Sequence, residues 1–362
     1  MNPLLRKLGI SLPIIQAPMA GTSTPALAAA VSNAGGLGSL GIGAMSAENA
    51  RATIAKTRAA TNHPFNVNLF CHRPPQHEPE REAGWIARLA PEFARYDAAP
   101  PTELRDIYKS FVNDEDMFAM LLLERPAVVS FHFGLPSPAK VAALRAAGTV
   151  LLASATSLAE ARAVQAAGID AVVAQGFEAG GHRCMFDPAA PDERLGTLAL
   201  TRLLVQNLKI PVIAAGGIMD GAGIAASLFL GASAAQLGTA FVACPETDAD
   251  SAYRAALLDK NVRTVMTTAI SGRPARSVAN AFTALGERFA DEEIAPYPMA
   301  YDAGKALITA AKSKGETGYG AQWAGQGASL ARALPTETLM AVLETELKEA
   351  LARPPVLRAN PL

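Results

Sequence analysis

The chain has 362 residues, half of them hydrophobic and 18% charged, with a formal net charge of −1. That composition excludes a disordered chain, and the length allows one large core or two domains. Without a basic excess, nucleic acid is not an expected partner.

Residues 1–15 carry Arg6 and Lys7 but no long apolar stretch or cleavage pattern, so no signal peptide is expected. No apolar run reaches the ~18 residues of a membrane span. Cys71, Cys184 and Cys244 are widely spaced and odd in number, with no Cys-x-x-Cys pair. This argues against a disulfide framework or a zinc site and for a reducing, cytoplasmic compartment. Cys184 lies two residues past His182, but a small buried cysteine is the simpler reading than a nucleophile.

Taken in chain order, short apolar runs predict strands at 14–19, 37–42, 65–70, 128–133, 150–154, 171–174, 212–215 and 234–241. They are too apolar for a sheet wet on one face. Between them, helical patterns cover 25–33, 46–60, 137–147, 157–167, 197–207 and 221–230. Ser46 and Ser157 read as N-caps. Eight strand–helix units predict an α/β fold, a (β/α)8 TIM barrel. The alternative is a doubly wound open sheet. Gly36, Gly38 and Gly41 have the dinucleotide-binding spacing, but they precede a strand instead of opening a helix, which makes the match fortuitous.

Two segments break the alternation. Residues 72–125, rich in Pro, Arg and Glu and then helical, form an excursion from a barrel spanning 1–245. Residues 246–320 are too long for a loop and predict a smaller substrate or lid domain. Residues 321–362 return to the barrel, with a helix at 337–351 packing on it.

Active sites of such barrels lie at the C-terminal strand ends. The residues there are Ala17-Pro18-Met19, Asn68, His132, Gln175 to His182, Gly216-Gly217 and Gln236-Leu237-Gly238-Thr239. The seventh and eighth tips read as a phosphate cradle, because glycines expose N–H groups and Thr239 adds a hydroxyl. Asn68 and Gln175 are amides ending apolar strands, and they suit a flavin edge, a sugar or a backbone turn equally.

His132 is flanked by apolar residues and is either a satisfied core residue or a ligand contact. His182 follows two glycines and is the stronger candidate for moving a proton or orienting an anion. His63, His72 and His77 show no ligand spacing and are expected to be solvated. Tyr301 and Lys305 stand at i,i+4 and share a helix face. On the residues alone that is an ordinary solvated face, and a carboxylate site is the alternative.

These motifs resemble the nitronate monooxygenases, once called 2-nitropropane dioxygenases. The resemblance runs through Gln16 to Met19, Ser130 to Gly134, Gln175 to His182, Ala214 to Gly217 and Gln236 to Thr239. Tyr297 to Lys305 and Gly318 to Gln326 look like that family's class I, bacterial type. The resemblance implies an FMN-binding barrel with a smaller domain over the substrate. It assigns FMN contacts to Ala17, Pro18, Met19, Asn68, Gln175, Gly180, Gly216, Gly217, Gln236, Leu237, Gly238 and Thr239. Gln322, Trp323, Gly325 and Gln326 would close over the cofactor. His182 would be the catalytic histidine. His132, Tyr108, Tyr253, Tyr297, Tyr301 and Lys305 would line the substrate pocket.

The implied reaction takes an anionic alkyl nitronate, propionate 3-nitronate foremost, through a flavin semiquinone. With O2 it gives an aldehyde (malonic semialdehyde) and nitrite or nitrate, without NAD(P)H and as part of detoxification. A monomer and a homodimer are both compatible. The rival readings on the same barrel are an NADH:quinone reductase and a flavin-dependent enoyl-acyl carrier protein reductase. A cofactor-free lyase or isomerase with a phosphorylated substrate, and a non-catalytic flavin-binding protein, are the more distant alternatives.

Overall fold

The computed structural model describes residues 2–352. Met1 of the leader reading and residues 353–362 of the return segment lie outside the described residues. Strands are numbered in chain order: β1 (Ile14–Gln16), β2 (Gly38–Gly41), β3 (Phe65–Phe70), β4 (Val128–His132), β5 (Val150–Ala155), β6 (Ala171–Gln175), β7 (Gly181–His182), β8 (Val212–Ala215) and β9 (Ala234–Leu237). All except β7 pair in parallel in the order β1-β9-β8-β6-β5-β4-β3-β2. A parallel bridge from Ile15 to Leu37 brings β1 against β2 and closes the barrel.

The apolar runs form strands buried on both faces, as a barrel with a filled interior and an outer ring of helices requires. The helices start where the sequence places caps. Ser46, Ser137 and Ser157 each accept a hydrogen bond from the third helical N–H, an interaction that contributes about 1 kcal/mol.

Two strands end three or more residues sooner than their apolar runs. The first stops at Gln16 instead of 19. Ala17 still donates to the Leu237 carbonyl, but Pro18 has no N–H to continue the ladder. The eighth barrel strand, β9, stops at Leu237, because the chain turns at Gly238 into the one-turn helix Thr239–Val242.

A second, three-stranded sheet lies beyond the barrel. β10 (Thr264–Thr267) and β11 (Ala275–Val278) are antiparallel, and β7 joins β11 with His182 opposite Ala275. The loop after the sixth barrel strand is therefore stitched to the segment after the eighth. A second core forms there. Trp85, Leu89 and Phe93 of the helix Pro79–Ala94 pack with Ile270, Phe282, Met299 and Leu307. The excursion between β3 and β4 thus shares its apolar interior with the 269–319 region. The helix Thr336–Ala352 packs against Gly221–Phe229 and Pro25–Asn33 on the barrel's outside.

Candidate active site

A cavity of about 430 Å³ opens at the C-terminal ends of the barrel strands, under the second sheet and the helix Met299–Ser313. One end is built of backbone. Gly216 and Gly217, after β8, have φ values of 119° and 70°, a left-handed turn that only glycine adopts without strain. The N–H groups of Gly217, Gly238 and Thr239 have no acceptor among the described residues, and all three residues line the cavity. Thr239 Oγ1 accepts the Gly325 N–H at 2.9 Å, so its own proton remains available to donate. Free donors lining one end of a cavity fit a phosphate. Next to them Gln236 lines the cavity with a side-chain amide that makes no hydrogen bond among the described residues.

Of the residues expected at a cofactor, Ala17, Pro18, Met19, Gln175, Gly180, Gly216, Gly217, Gln236, Gly238, Thr239 and Trp323 line this cavity. Gln175 spends its amide on the adjacent loop: Nε2 donates to the His182 carbonyl and Oε1 accepts from the Cys184 N–H. Asn68 is not in the wall; its amide donates to Ser130. Leu237 is in the barrel core. Gln322 faces an adjoining chamber of about 270 Å³ that shares Tyr253, Tyr301, Lys305 and Trp323. Gly325 and Gln326 stand behind the wall and hold it by backbone bonds to Thr239 and Glu178.

The other end is aromatic. His132, His182, Tyr108, Tyr253, Tyr297, Tyr301 and Lys305 all line the cavity. The His182 ring lies 5.1 Å from Trp323, 5.7 Å from Tyr297 and 6.1 Å from Tyr301. Lys305 Nζ sits 4.7 Å above the Tyr108 ring and 5.2 Å above Tyr301, at the range of cation–π contacts. The Tyr301–Lys305 face is therefore a cavity wall and not a plain solvated surface.

Burial first, then the Arg273 charge and His132, push the His182 imidazole down to about 3. Burial, with a smaller push from Arg273 against a backbone hydrogen bond, lowers His132 to about 4. Both are neutral near pH 7. Burial raises the phenols of Tyr108, Tyr253, Tyr297 and Tyr301, which stay protonated donors. Burial also lowers the Lys305 ammonium. His182 Nε2 lies 2.9 Å from Ser271 Oγ, which is 3.1 Å from the Arg273 carbonyl. With its proton on that carbonyl, Ser271 accepts Nε2–H. His182 Nδ1, which has no protein partner among the described residues, then carries the lone pair.

His72 is a correction. It was expected to be solvated, yet it is buried with its ring 5.1 Å from Tyr297. The reason is the second core, which folds the excursion over the barrel mouth. His63 and His77 are exposed. Cys184 is buried and its thiol is raised to about 12 by that burial, which favours the thiol over the thiolate. Ser271, Arg273, Phe70 and Phe133 were not named as site residues from the sequence. Phe133 sits beside His132 and carried a signal. Ser271 and Arg273 come from no strand end and gave none.

The family profile described as nitronate monooxygenase matches residues 2–346. A nitronate monooxygenase of Paraburkholderia phytofirmans is 64% identical over 349 residues, covering 96% of this chain and 95% of its own. The solved nitroalkane oxidase of Streptomyces ansochromogenes is 43% identical with a TM-score of 0.85, covering 96% of this chain and 98% of its own. The structure of FabK from Thermotoga maritima is 31% identical with a TM-score of 0.74, covering 97% of both chains.

Proposed function

This chain belongs to the nitronate monooxygenase family of oxidoreductases, and from that premise we propose an FMN-dependent oxidation of alkyl nitronates. Propionate 3-nitronate is the foremost candidate substrate. With O2 it would yield malonic semialdehyde plus nitrite or nitrate, without NAD(P)H. The observation that carries the reading is the placement of Lys305 and the protonated phenols on the same cavity as a neutral His182. An ammonium and neutral donors suit a small dianion.

FMN would set its phosphate on the free donors of Gly217, Gly238 and Thr239, with the Gln236 amide offered to the polar edge of the ring. Bound there, it supplies the electron acceptor that the side chains lack. The chain's own residues bind and orient. Lys305 would take the substrate carboxylate at the cavity mouth, and Tyr297 and Tyr301 would donate to the nitronate end. His182 Nδ1 would accept a proton when the substrate enters as a neutral nitroalkane. The three cysteines are buried and free, in keeping with the cytoplasm as the working compartment. Among the described residues no helix is long and apolar enough to cross a membrane.

The likeness to FabK supports a second reading, an NADH-dependent reductase on the same barrel. Anaerobic mixing with propionate 3-nitronate, followed by the visible spectrum, separates the two. The nitronate reading expects loss of the oxidised flavin band with nitronate and none with NADH. The opposite pattern would favour the reductase, and a colourless protein unable to take up FMN would sink both.

A further inference from the structure

Arg273 is 3% exposed and forms no ion pair among the described residues. One Nη donates to the Met185 carbonyl, while Nε has no partner. The acids in its field are engaged elsewhere. Glu160 accepts from Thr156 and the Phe186 N–H, and Asp187 pairs with Arg73. Cys184 and Tyr297, also in its field, are kept neutral by burial. A buried cation without a counter-ion is strongly disfavoured, so its retention beside a cavity calls for a reason.

The geometry supplies one. The Arg273 guanidinium carbon lies 4.2 Å from the centroid of the Phe133 ring. Phe133 lines the cavity, with its centroid 5.7 Å from His182, 5.9 Å from Tyr297 and 6.0 Å from His132. Its backbone is left-handed, with φ of 69°, a strained conformation for an aromatic residue that surrounding contacts must hold. The main chain of Arg273 holds Ser271, and Ser271 holds His182. The side chain thus backs one wall residue and the main chain anchors another.

The other groups at this end are neutral imidazoles and phenols. Arg183 is neutralised by Asp192. Arg276 is as buried as Arg273 and has no ion pair among the described residues, but it stacks on Phe177, which is not in the cavity wall, and has the Glu178 carboxylate in its field. Among the described residues, the cations that line this end or stack on its wall are Lys305 at the exposed mouth and Arg273 in the interior.

We propose that Arg273, stacked on Phe133, is the interior electrostatic determinant that makes this cavity prefer an anion over its neutral isostere. The proposal deepens the nitronate reading and rests on it for the identity of the anion. Arg273 acts through the field and through Phe133, so it is a positioning residue.

The test is calorimetric titration of the holoenzyme with butyrate and with butyramide, which are matched in shape and differ in charge. The unsubstituted protein should bind butyrate more tightly. Arg273→Gln should cut that ratio roughly tenfold, and Arg273→Lys, which restores charge, should keep it within about threefold. Lys305→Met should leave a measurable preference. An unsubstituted protein without preference, a folded Arg273→Gln that keeps the ratio, or a folded Arg273→Lys as poor as Gln would each overturn the proposal. So would a Lys305→Met variant that loses the preference entirely, and that outcome can still overturn the proposal if Arg273→Gln does not fold. Absence of nitronate turnover with the charge preference intact would remove the substrate reading alone.

Discussion

At the scale of single residues, the site depends on groups whose charge state burial has decided. His182, lowered to about 3, stays neutral through the working range. The kcat/KM on preformed nitronate, measured from pH 8 to pH 5, should therefore show no protonation step from this group. An inflection near the ordinary histidine value of about 6.5 would contradict the burial argument. His182→Asn should cost about 10²-fold or more on a neutral nitroalkane but much less on the preformed nitronate. Equal losses on both would argue against proton abstraction. Lys305→Met should raise KM for propionate 3-nitronate about tenfold and for ethyl nitronate less, because only the former adds a carboxylate. His182 could be picked from its strand-end position, which is local, whereas the i,i+4 spacing of Tyr301 and Lys305 read by itself as a solvated face and only the family resemblance put them in the pocket. Arg273 and Ser271 could not be picked, because their part in the site exists only through a stack and a hydrogen bond across the fold.

At the scale of elements, the helix Met299–Ser313 is the part that brings Tyr301 and Lys305 to the barrel. It is held from behind by the helix Pro79–Ala94, where Trp85 is fully buried. Trp85→Ala should cost about 3–5 kcal/mol of stability. It should also raise KM more than it lowers kcat, since the helix that moves carries substrate contacts. Thermal melting and steady-state kinetics on one preparation would show both effects, and an unchanged KM would mean that the two helices do not act as a unit. Gly325 is a second lever. A Cβ there would meet the Glu178 carbonyl at 2.6 Å, so the wall behind Thr239 must shift. Gly325→Ala should weaken FMN retention about tenfold or more, measured by equilibrium dialysis. The strand and helix runs were legible because hydrophobic period and serine caps are local signals. The joining of the excursion to the 269–319 region was not, because no local pattern says which of two apolar surfaces meets another.

For the whole molecule, three histidines, His72, His132 and His182, are lowered by burial to about 4, 4 and 3. The unfolded chain binds protons on them below about pH 6.5 while the native state does not. Their neutral burial is without penalty above that value, and stability falls as pH drops from 6.5 towards 4. Each contributes a slope of up to about 1.4 kcal/mol per pH unit. Denaturant unfolding between pH 7 and pH 4.5 should show that fall, and a folded His72→Leu variant should reduce the slope by about one proton. A slope unaltered by His72→Leu would mean that this residue is not buried neutral.

The sequence by itself determined the barrel, its eight strand–helix units, and the glycines and histidine at its strand ends. These follow from periodicity, chain order and the special backbone freedom of glycine, which are properties of short segments. Only the tertiary structure decided that β7 joins the second sheet, that His72 is buried, that Asn68 is spent on Ser130, and that Arg273, without an ion pair among the described residues, lies beneath the cavity wall. Those outcomes depend on which distant surfaces exclude water from one another, and burial of that kind belongs to no segment alone.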